Sequence, residues 1–207
     1  MSLSKASRST ISRGLLDFGL VSYQTTLKPL LTSDNIKKRV EFCHKYENWS
    51  FLHWQQVIFS DESNFKLINR KNIPVVRRMI QEKYDKRHCI MRVQGGGGSV
   101  GIWGCISING AGVCRCYSNR MNTQLYIETM ENCLKPSVDL LYENHENVIY
   151  QQDNAPCHKS RLPMAWFEEN SVEVMNWPAK SPDLNPIEHI WSLIDQRISG
   201  IRFDSLA

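Results

Sequence analysis

The 207 residues are 42% hydrophobic and 22% charged, with a formal net charge of +4. This is the balance of a globular chain with one substantial core, and it excludes a disordered tail; the small positive excess is compatible with a nucleic-acid partner without arguing for one. No apolar run approaches the roughly 18 residues of a membrane span, the first residues lack the apolar stretch of a signal peptide, and the seven cysteines include no C-x-x-C pair, which weighs against a disulfide framework or a zinc knuckle. An intracellular protein with no membrane partner is expected.

Residues 10–20 place Ile11, Leu15 and Phe18 on one helical face, with Gly19 at a C-cap position. Arg8 and Arg13 make this helix basic, which suits a recognition helix or simply a solvated one. Pro29 marks an extended linker. Asp34 is then the expected cap of a helix whose Ile36, Val40, Phe42 and Cys43 lie opposite Lys37, Lys38 and Arg39. Residues 56–61 form the first strand, and a tight connection at Glu62-Ser63-Asn64 leads to a second over 65–71. The segment 75–88 is basic and has no clear period; it includes Arg77, Arg78 and Lys83.

Gly95 to Gly98 precede no G-K-[ST], and residues 99–108 read as a strand, so this is not a nucleotide-cradling loop. It reads as backbone that passes close to another strand or to a nucleic-acid backbone. Asn109-Gly110 turns the chain into a strand over 113–117, where Cys114 and Cys116 share one face as packing residues. Asn122 caps a helix with Leu125, Met130 and Leu134 on its apolar side, kinked or restarted at Pro136 and running to about Tyr142. A strand over 148–152 delivers Asp153. A helix over 159–170 follows, then an alternating strand over 172–177. Pro178, Pro182 and Pro186 lead to a last helix striped by Ile187, Ile190, Trp191, Ile194 and Ile198. Three strands, helix, strand, helix, strand, helix describe an α/β layer fold with helices on both faces.

Three acids stand on three different elements: Asp61 and Asp153 at strand ends and Glu188 at the start of the last helix. The ends of strands are where α/β sheets place ligand sites, and three carboxylates suit hard divalent cations, which prefer oxygen ligands. An acid after a strand is also a common turn-former. Glu188 has an alternative explanation in a capping box, with Asn185 as the cap and Pro186 at the first helical position.

Four blocks sharpen the choice. Val57-Ile58-Phe59-Ser60-Asp61-Glu62-Ser63, Gly96-Gly97-Gly98-Ser99 with Trp103-Gly104-Cys105, Gln151-Gln152-Asp153-Asn154-Ala155-Pro156-Cys157-His158, and Trp177-Pro178 with Ser181-Pro182-Asp183-Leu184-Asn185-Pro186-Ile187-Glu188-His189-Ile190-Trp191 resemble the catalytic core of Tc/mariner superfamily DDE transposases. The match is collinear over residues 10–198, and the 34 residues between Asp153 and Glu188 are the interval of one major branch of that superfamily. The resemblance implies an RNase H-like (retroviral integrase-like) fold, a mixed sheet with helices on both faces. It also implies Asp61, Asp153 and Glu188 as catalytic residues holding two Mg²⁺ or Mn²⁺ ions for cleavage and strand transfer of double-stranded DNA, cut-and-paste into TA targets. A homodimer or synaptic oligomer and a nuclear location belong to the same implication. DNA contacts would fall on Arg8, Arg13, Arg77, Arg78 and Gly95, Gly96, Gly97 and Gly98. Residues 1–45 would be the remnant of a helix-turn-helix region plus linker, and 46–207 the catalytic domain. Because the chain begins inside what resembles the second helix-turn-helix and stops soon after the Glu188 helix, a truncated copy is expected; the alternative is an inactive relic that binds DNA or oligomerises.

Overall fold

The computed structural model describes residues 7–21, 30–66, 77–85, 98–118, 120–145 and 147–198. The chain divides into two compact units, Met1–Leu31 and Thr32–Ala207.

In the first unit, helix α1 spans Arg8–Asp17. The Ser7 side chain accepts from Thr10 N, and at the other end Gly19 takes φ 74° while Gly19 N and Leu20 N donate back to Leu16 and Leu15 carbonyls. That pair of bonds is the helix stop expected of the glycine. No residue of α1 is buried.

The second unit is built on strand β1, Val57–Lys66. The expected connection at Glu62-Ser63-Asn64 is absent, because the strand runs straight through it; residues 67–71 lie outside the described residues. Asp61 is therefore a mid-strand residue and not a strand end. β2 (Ser99–Ser107) pairs antiparallel with β1 in a register that sets Asp61 opposite Gly104. β3 (Gly110–Ala111) and β4 (Arg115–Tyr117) both pair antiparallel with β2. Cys114 and Cys116 are exposed on this edge instead of packing. β5 (Ile149–Gln151) lies parallel to the other side of β1, and β6 (Glu173–Val174) parallel to β5. The described strands thus form one mixed sheet.

The helices cover both faces because β1 alternates. Successive side chains point to opposite sides of a strand. Ile58 joins Trp103, Cys105, Tyr126, Met130, Leu134, Tyr150 and Phe167 in the larger core. The helices on this side are α4 (Thr123–Thr129), α5 (Lys135–Leu141) and α6 (Arg161–Glu169). A single π turn, Met130–Leu134, separates α4 from α5, so the restart falls one residue before Pro136, whose missing N–H it accommodates. Val57 and Phe65 face the other way. Val57 packs with Tyr46, Met175 and Trp177, and Phe65 with Ile187 and Trp191. This face carries α2 (Ser33–Tyr46), the short α3 (Phe51–Trp54) and α7 (Ile187–Ile198). The cap of α2 is Thr32, whose hydroxyl accepts from Asn35 N; Asp34 sits in the first turn and pairs with Lys38 at 2.7 Å. None of the described helices is long and apolar enough to cross a membrane.

Candidate active site

Three elements bring the acids to one place. β1 carries Asp61, the segment leaving β5 carries Asp153, and the first turn of α7 carries Glu188; all three line one cleft of about 440 Å³ together with Asn154, Trp177 and Asn185. Asp61 shares its sheet face with Val57, Phe59 and Phe65, so its carboxylate points toward α7. There Trp191 Nε1 donates to Asp61 Oδ2 at 3.2 Å. A side chain at Gly104, the residue opposite Asp61, would put its Cβ 3.0 Å from the Trp191 ring. The glycine is what lets the indole reach the acid.

The start of α7 is tied to β1. Asn185 Nδ2 donates to the Ser60 carbonyl at 3.0 Å, and Asn185 Oδ1 accepts from Ile187 N. Asn185 N donates to the Pro182 carbonyl, so Glu188 does not close a capping box. The structural explanation for that glutamate falls away, and its side chain faces the cleft with Asp61.

Electrostatics separate the three acids. Burial, aided by the charges of Glu62, Glu188 and Asp153, pushes the Asp61 carboxyl from 3.8 up to about 7, against the backbone hydrogen bond that favours its ionised form. Burial also raises Glu188. Asp153 moves the other way: burial works against its charge, but hydrogen bonds from His158 and Ala155 N outweigh it and lower its pKa. Both bonds fall on one oxygen, Oδ1, at 2.7 and 2.8 Å.

His158 closes the third sequence block without a role assigned to it there. It is only 3% exposed. Nδ1 bonds Asp153, Nε2 lies 3.3 Å from Glu62 Oε1 in an ion pair off the line of a good hydrogen bond, and the ring stacks on Tyr126 at 4.0 Å. Burial disfavours the imidazolium, yet the hydrogen bonds and charges of Asp153 and Glu62 push its pKa up to about 10. Behind it, Tyr126 Oη bonds both Gln152 Oε1 and Tyr150 Oη, and Ser60 Oγ donates to Tyr150 Oη at 2.7 Å. The signal available beforehand was the spacing: His158 follows Asp153 by five residues on a turn, and Glu62 follows Asp61 on a strand, so it points to the opposite face.

The donor set fits a hard divalent cation. It offers carboxylate oxygens only, one on each of three rigidly placed elements, and Asp61 is held at a pKa that a nearby positive charge would lower. Among the described residues no three acidic, imidazole or thiol groups are near enough to chelate an ion as the side chains stand. Asp61 and Asp153 are each held by one oxygen to protein donors.

The other sequence-derived candidates lie elsewhere. Arg8 and Arg13 are exposed on α1 in the first unit, and Arg77 and Arg78 are exposed beside a 3-10 turn at Ile80–Tyr84. Gly98 has φ 81°, whereas Gly95, Gly96 and Gly97 lie outside the described residues. Within the second unit, neither Arg77, Arg78 nor Gly98 lines the acid cleft.

Residues 56–207 match the family described as DDE superfamily endonuclease, and residues 3–48 match a Tc3-type helix-turn-helix family described as transposase. The chain is 36% identical over 196 residues to the transposable element Tcb1 transposase of Caenorhabditis briggsae, and 34% identical over 196 residues to the transposable element Tc1 transposase of Caenorhabditis elegans. In each case 95% of this chain and 71% of the relative are covered. The Mos1 mariner paired-end complex with Mn superposes with a TM-score of 0.75 at 22% identity, over 98% of this chain and 60% of the Mos1 chain. The catalytic domain of Mos1 alone gives 0.65 at 20% identity, over 87% of this chain and 79% of that domain. The sheet is therefore the RNase H-like one, and the chain belongs to the Tc1/mariner family of DDE transposases.

Proposed function

We propose that this chain performs metal-dependent cleavage of double-stranded DNA at transposon ends and joins those ends to TA target sites, with Asp61, Asp153 and Glu188 as the catalytic, metal-holding residues. The observation that carries the reading is the convergence of these three carboxylates, from β1, the segment leaving β5, and α7, on one cleft. Two Mg²⁺ or Mn²⁺ ions there would supply the charge that activates an attacking water or 3′-hydroxyl and stabilises the leaving oxygen of an in-line displacement at phosphorus.

The chain's own residues prepare that chemistry. His158, held between Glu62 and Asp153, keeps the Asp153 carboxyl ionised and fixes its orientation through Oδ1. Trp191 orients the Asp61 carboxyl through Oδ2, and Asn185 ties the first turn of α7 to β1, which holds Glu188 on the cleft with Asp61. Residues 46–207 form the catalytic domain in this reading. Residues 1–45 contribute DNA recognition, with Arg8 and Arg13 and, in the catalytic domain, Arg77, Arg78 and the strip from Gly95 to Gly98 contacting the duplex. A homodimer or larger synaptic assembly in the nucleus completes it; the Mos1 relatives were captured as paired-end complexes with Mn and with Mg.

The test is nicking and strand transfer on a pre-cleaved transposon end, with Mg²⁺, Mn²⁺ or EDTA, comparing wild type with Asp153→Asn and Glu188→Gln. Cation-dependent products from wild type and none from either variant are expected. Undiminished activity in Glu188→Gln would return that residue to a structural role.

A further inference from the structure

A second groove adjoins the acid cleft. It has a volume of about 500 Å³ and lies between α2 and the 176–179 segment, with Lys38, Lys45 and Lys159 along it, Phe42 and Trp177 as its apolar floor, and Glu41 as its one acid. Asn154, Trp177, Pro178 and Ala179 line this groove and the acid cleft alike, so the two are neighbours across a single wall. Their net charges are opposite. The cleft gathers three carboxylates against Lys180, whereas the groove sets three lysines, Lys38 among them paired with Asp34, against one glutamate.

The walls are fixed in place. The Phe42 ring meets Trp177 edge-on at 5.1 Å, and Arg39 grips Asp183 through both guanidinium nitrogens, at 2.8 and 2.5 Å, while also reaching the Lys180 carbonyl. These contacts bind α2 to the segment that leads into Glu188. The lysine stems leave the ammonium groups at the surface: Lys38 rests beside Asp34, Lys45 over the Tyr46 ring at 5.1 Å, and Glu41 is drawn toward Lys37 at 3.9 Å. Lys159 is near enough to Asp153 to help lower that carboxyl's pKa, so the positive charge begins at the edge of the acid site.

We propose that this groove is a phosphodiester channel that carries one DNA strand onward from the acid cleft, its successive phosphates met by Lys38, Lys45 and Lys159. The proposal rests on the DNA-processing reading above. A strand whose reacting phosphate sits in the cleft must leave it, and the continuous wall with reversed charge marks a path for a polyanion. Phosphate contacts of this kind position the strand and carry no sequence choice. They act through counterion release, which makes them measurable without catalysis.

The experiment uses the whole chain in EDTA and measures binding of labelled duplex ends, blunt or carrying a single-stranded extension, across a salt series. Wild type is compared with Lys45→Glu, Lys159→Glu, the double variant and Asp153→Asn, with circular dichroism and melting temperature confirming that each is folded. The expected result is tighter binding of the extended end by wild type, a salt slope lower by about one in each single variant and by about two in the double variant, and loss of the preference for the extension. Wild-type slope and preference in the folded double variant would overturn the channel, as would a wild type that does not distinguish the two ends. Asp153→Asn keeps this binding in EDTA and loses nicking in a parallel assay with Mn²⁺; if it still nicks there, the active-site reading fails and the groove does not.

Discussion

Asp61 and Glu62 are adjacent in sequence and face opposite sides of one strand, and the two sides treat a carboxylate in opposite ways. On the α7 side Asp61 meets a neutral indole N–H and two further acids, and its pKa climbs to about 7. On the α4–α6 side Glu62 meets a buried imidazolium that also holds Asp153, so the charge there is compensated within the protein. The acid-rich face is built to receive charge from outside, whereas the His158 face is built to be complete.

The largest expected effects come from breaking the open side. Asp61→Asn should lower metal-dependent nicking by about a thousandfold or more, since the electrostatic stabilisation lost is worth several kcal/mol. The same change should stabilise the metal-free fold. A carboxyl that titrates at 3.8 when unfolded and about 7 when folded binds its proton more tightly in the native state, so stability falls as pH rises from about 4 to about 7. The penalty above pH 7 is on the order of a few kcal/mol. Melting curves in EDTA should show wild type losing stability across that window and the variant holding level, and Mg²⁺ should restore stability to wild type alone. A wild-type curve that is flat in EDTA between pH 4 and 7 would contradict the account.

Breaking the closed side should cost the fold first. His158→Ala leaves the half-buried Glu62 without its partner, which costs about 1–3 kcal/mol. The pH signature is distinct. A histidine raised from 6.5 to about 10 contributes stability that is fully present below pH 6.5 and lost as pH rises through about 10. Denaturant midpoints for wild type should therefore decline between pH 6.5 and 10, and those of His158→Gln should not. Because Gln keeps a donor for Asp153 but no charge, its Mn²⁺ affinity by calorimetry should fall by about tenfold, the lower part of the range for ligand-orienting partners. Equal affinity in a folded His158→Gln would reduce His158 to a packing residue.

Much of this was legible in the chain, and the misreadings share a cause. The three acids were found by motif, and the helix ends at Gly19 and Asn122 by turn and cap chemistry, because those signals are local. Glu62-Ser63-Asn64 looked like a turn because polar, turn-forming residues interrupt an apolar run. In the structure they are strand residues whose polarity is used, with Glu62 reaching His158 across the sheet. Asn185 does accept from Ile187 N, but its own N–H goes to the Pro182 carbonyl and not to Glu188, and its Nδ2 reaches Ser60, 125 residues away in sequence. Cys114 and Cys116 alternate as a packed strand would, but among the described strands β4 pairs with β2 alone, and both cysteines lie at the surface. Partners distant in sequence decided each of these, and no local pattern contains them.

A smaller change probes how the open side is held without adding or removing charge. Gly104→Ala places a methyl 3.0 Å from the Trp191 ring. Since the ring is packed between α7 and the sheet, its displacement should cost about 1–3 kcal/mol, the usual range for overpacking. Chemical denaturation would measure it. A loss well under 1 kcal/mol would mean that the indole shifts freely and that the glycine is not what seats it.

Trp191→Phe should have the smallest effect, and it separates seating from bonding. Phenylalanine keeps much of the apolar contact with Phe65 and Ile187 but removes the Nε1 donor that Asp61 Oδ2 accepts. The lost hydrogen bond is worth about 1 kcal/mol by itself. Because that bond favours the ionised carboxylate, its removal should raise the Asp61 pKa further and move the stability decline of the metal-free protein to higher pH. Mn²⁺ affinity should weaken by about tenfold, and raising the pH should recover part of the loss, since full ionisation of Asp61 then no longer depends on the indole. If the affinity loss in Trp191→Phe is the same at pH 7 and pH 9, the indole acts on Asp61 through orientation alone. The open side would then resemble the closed one, with Trp191 holding Asp61 as His158 holds Asp153, and the difference between the faces would lie in charge and not in rigidity.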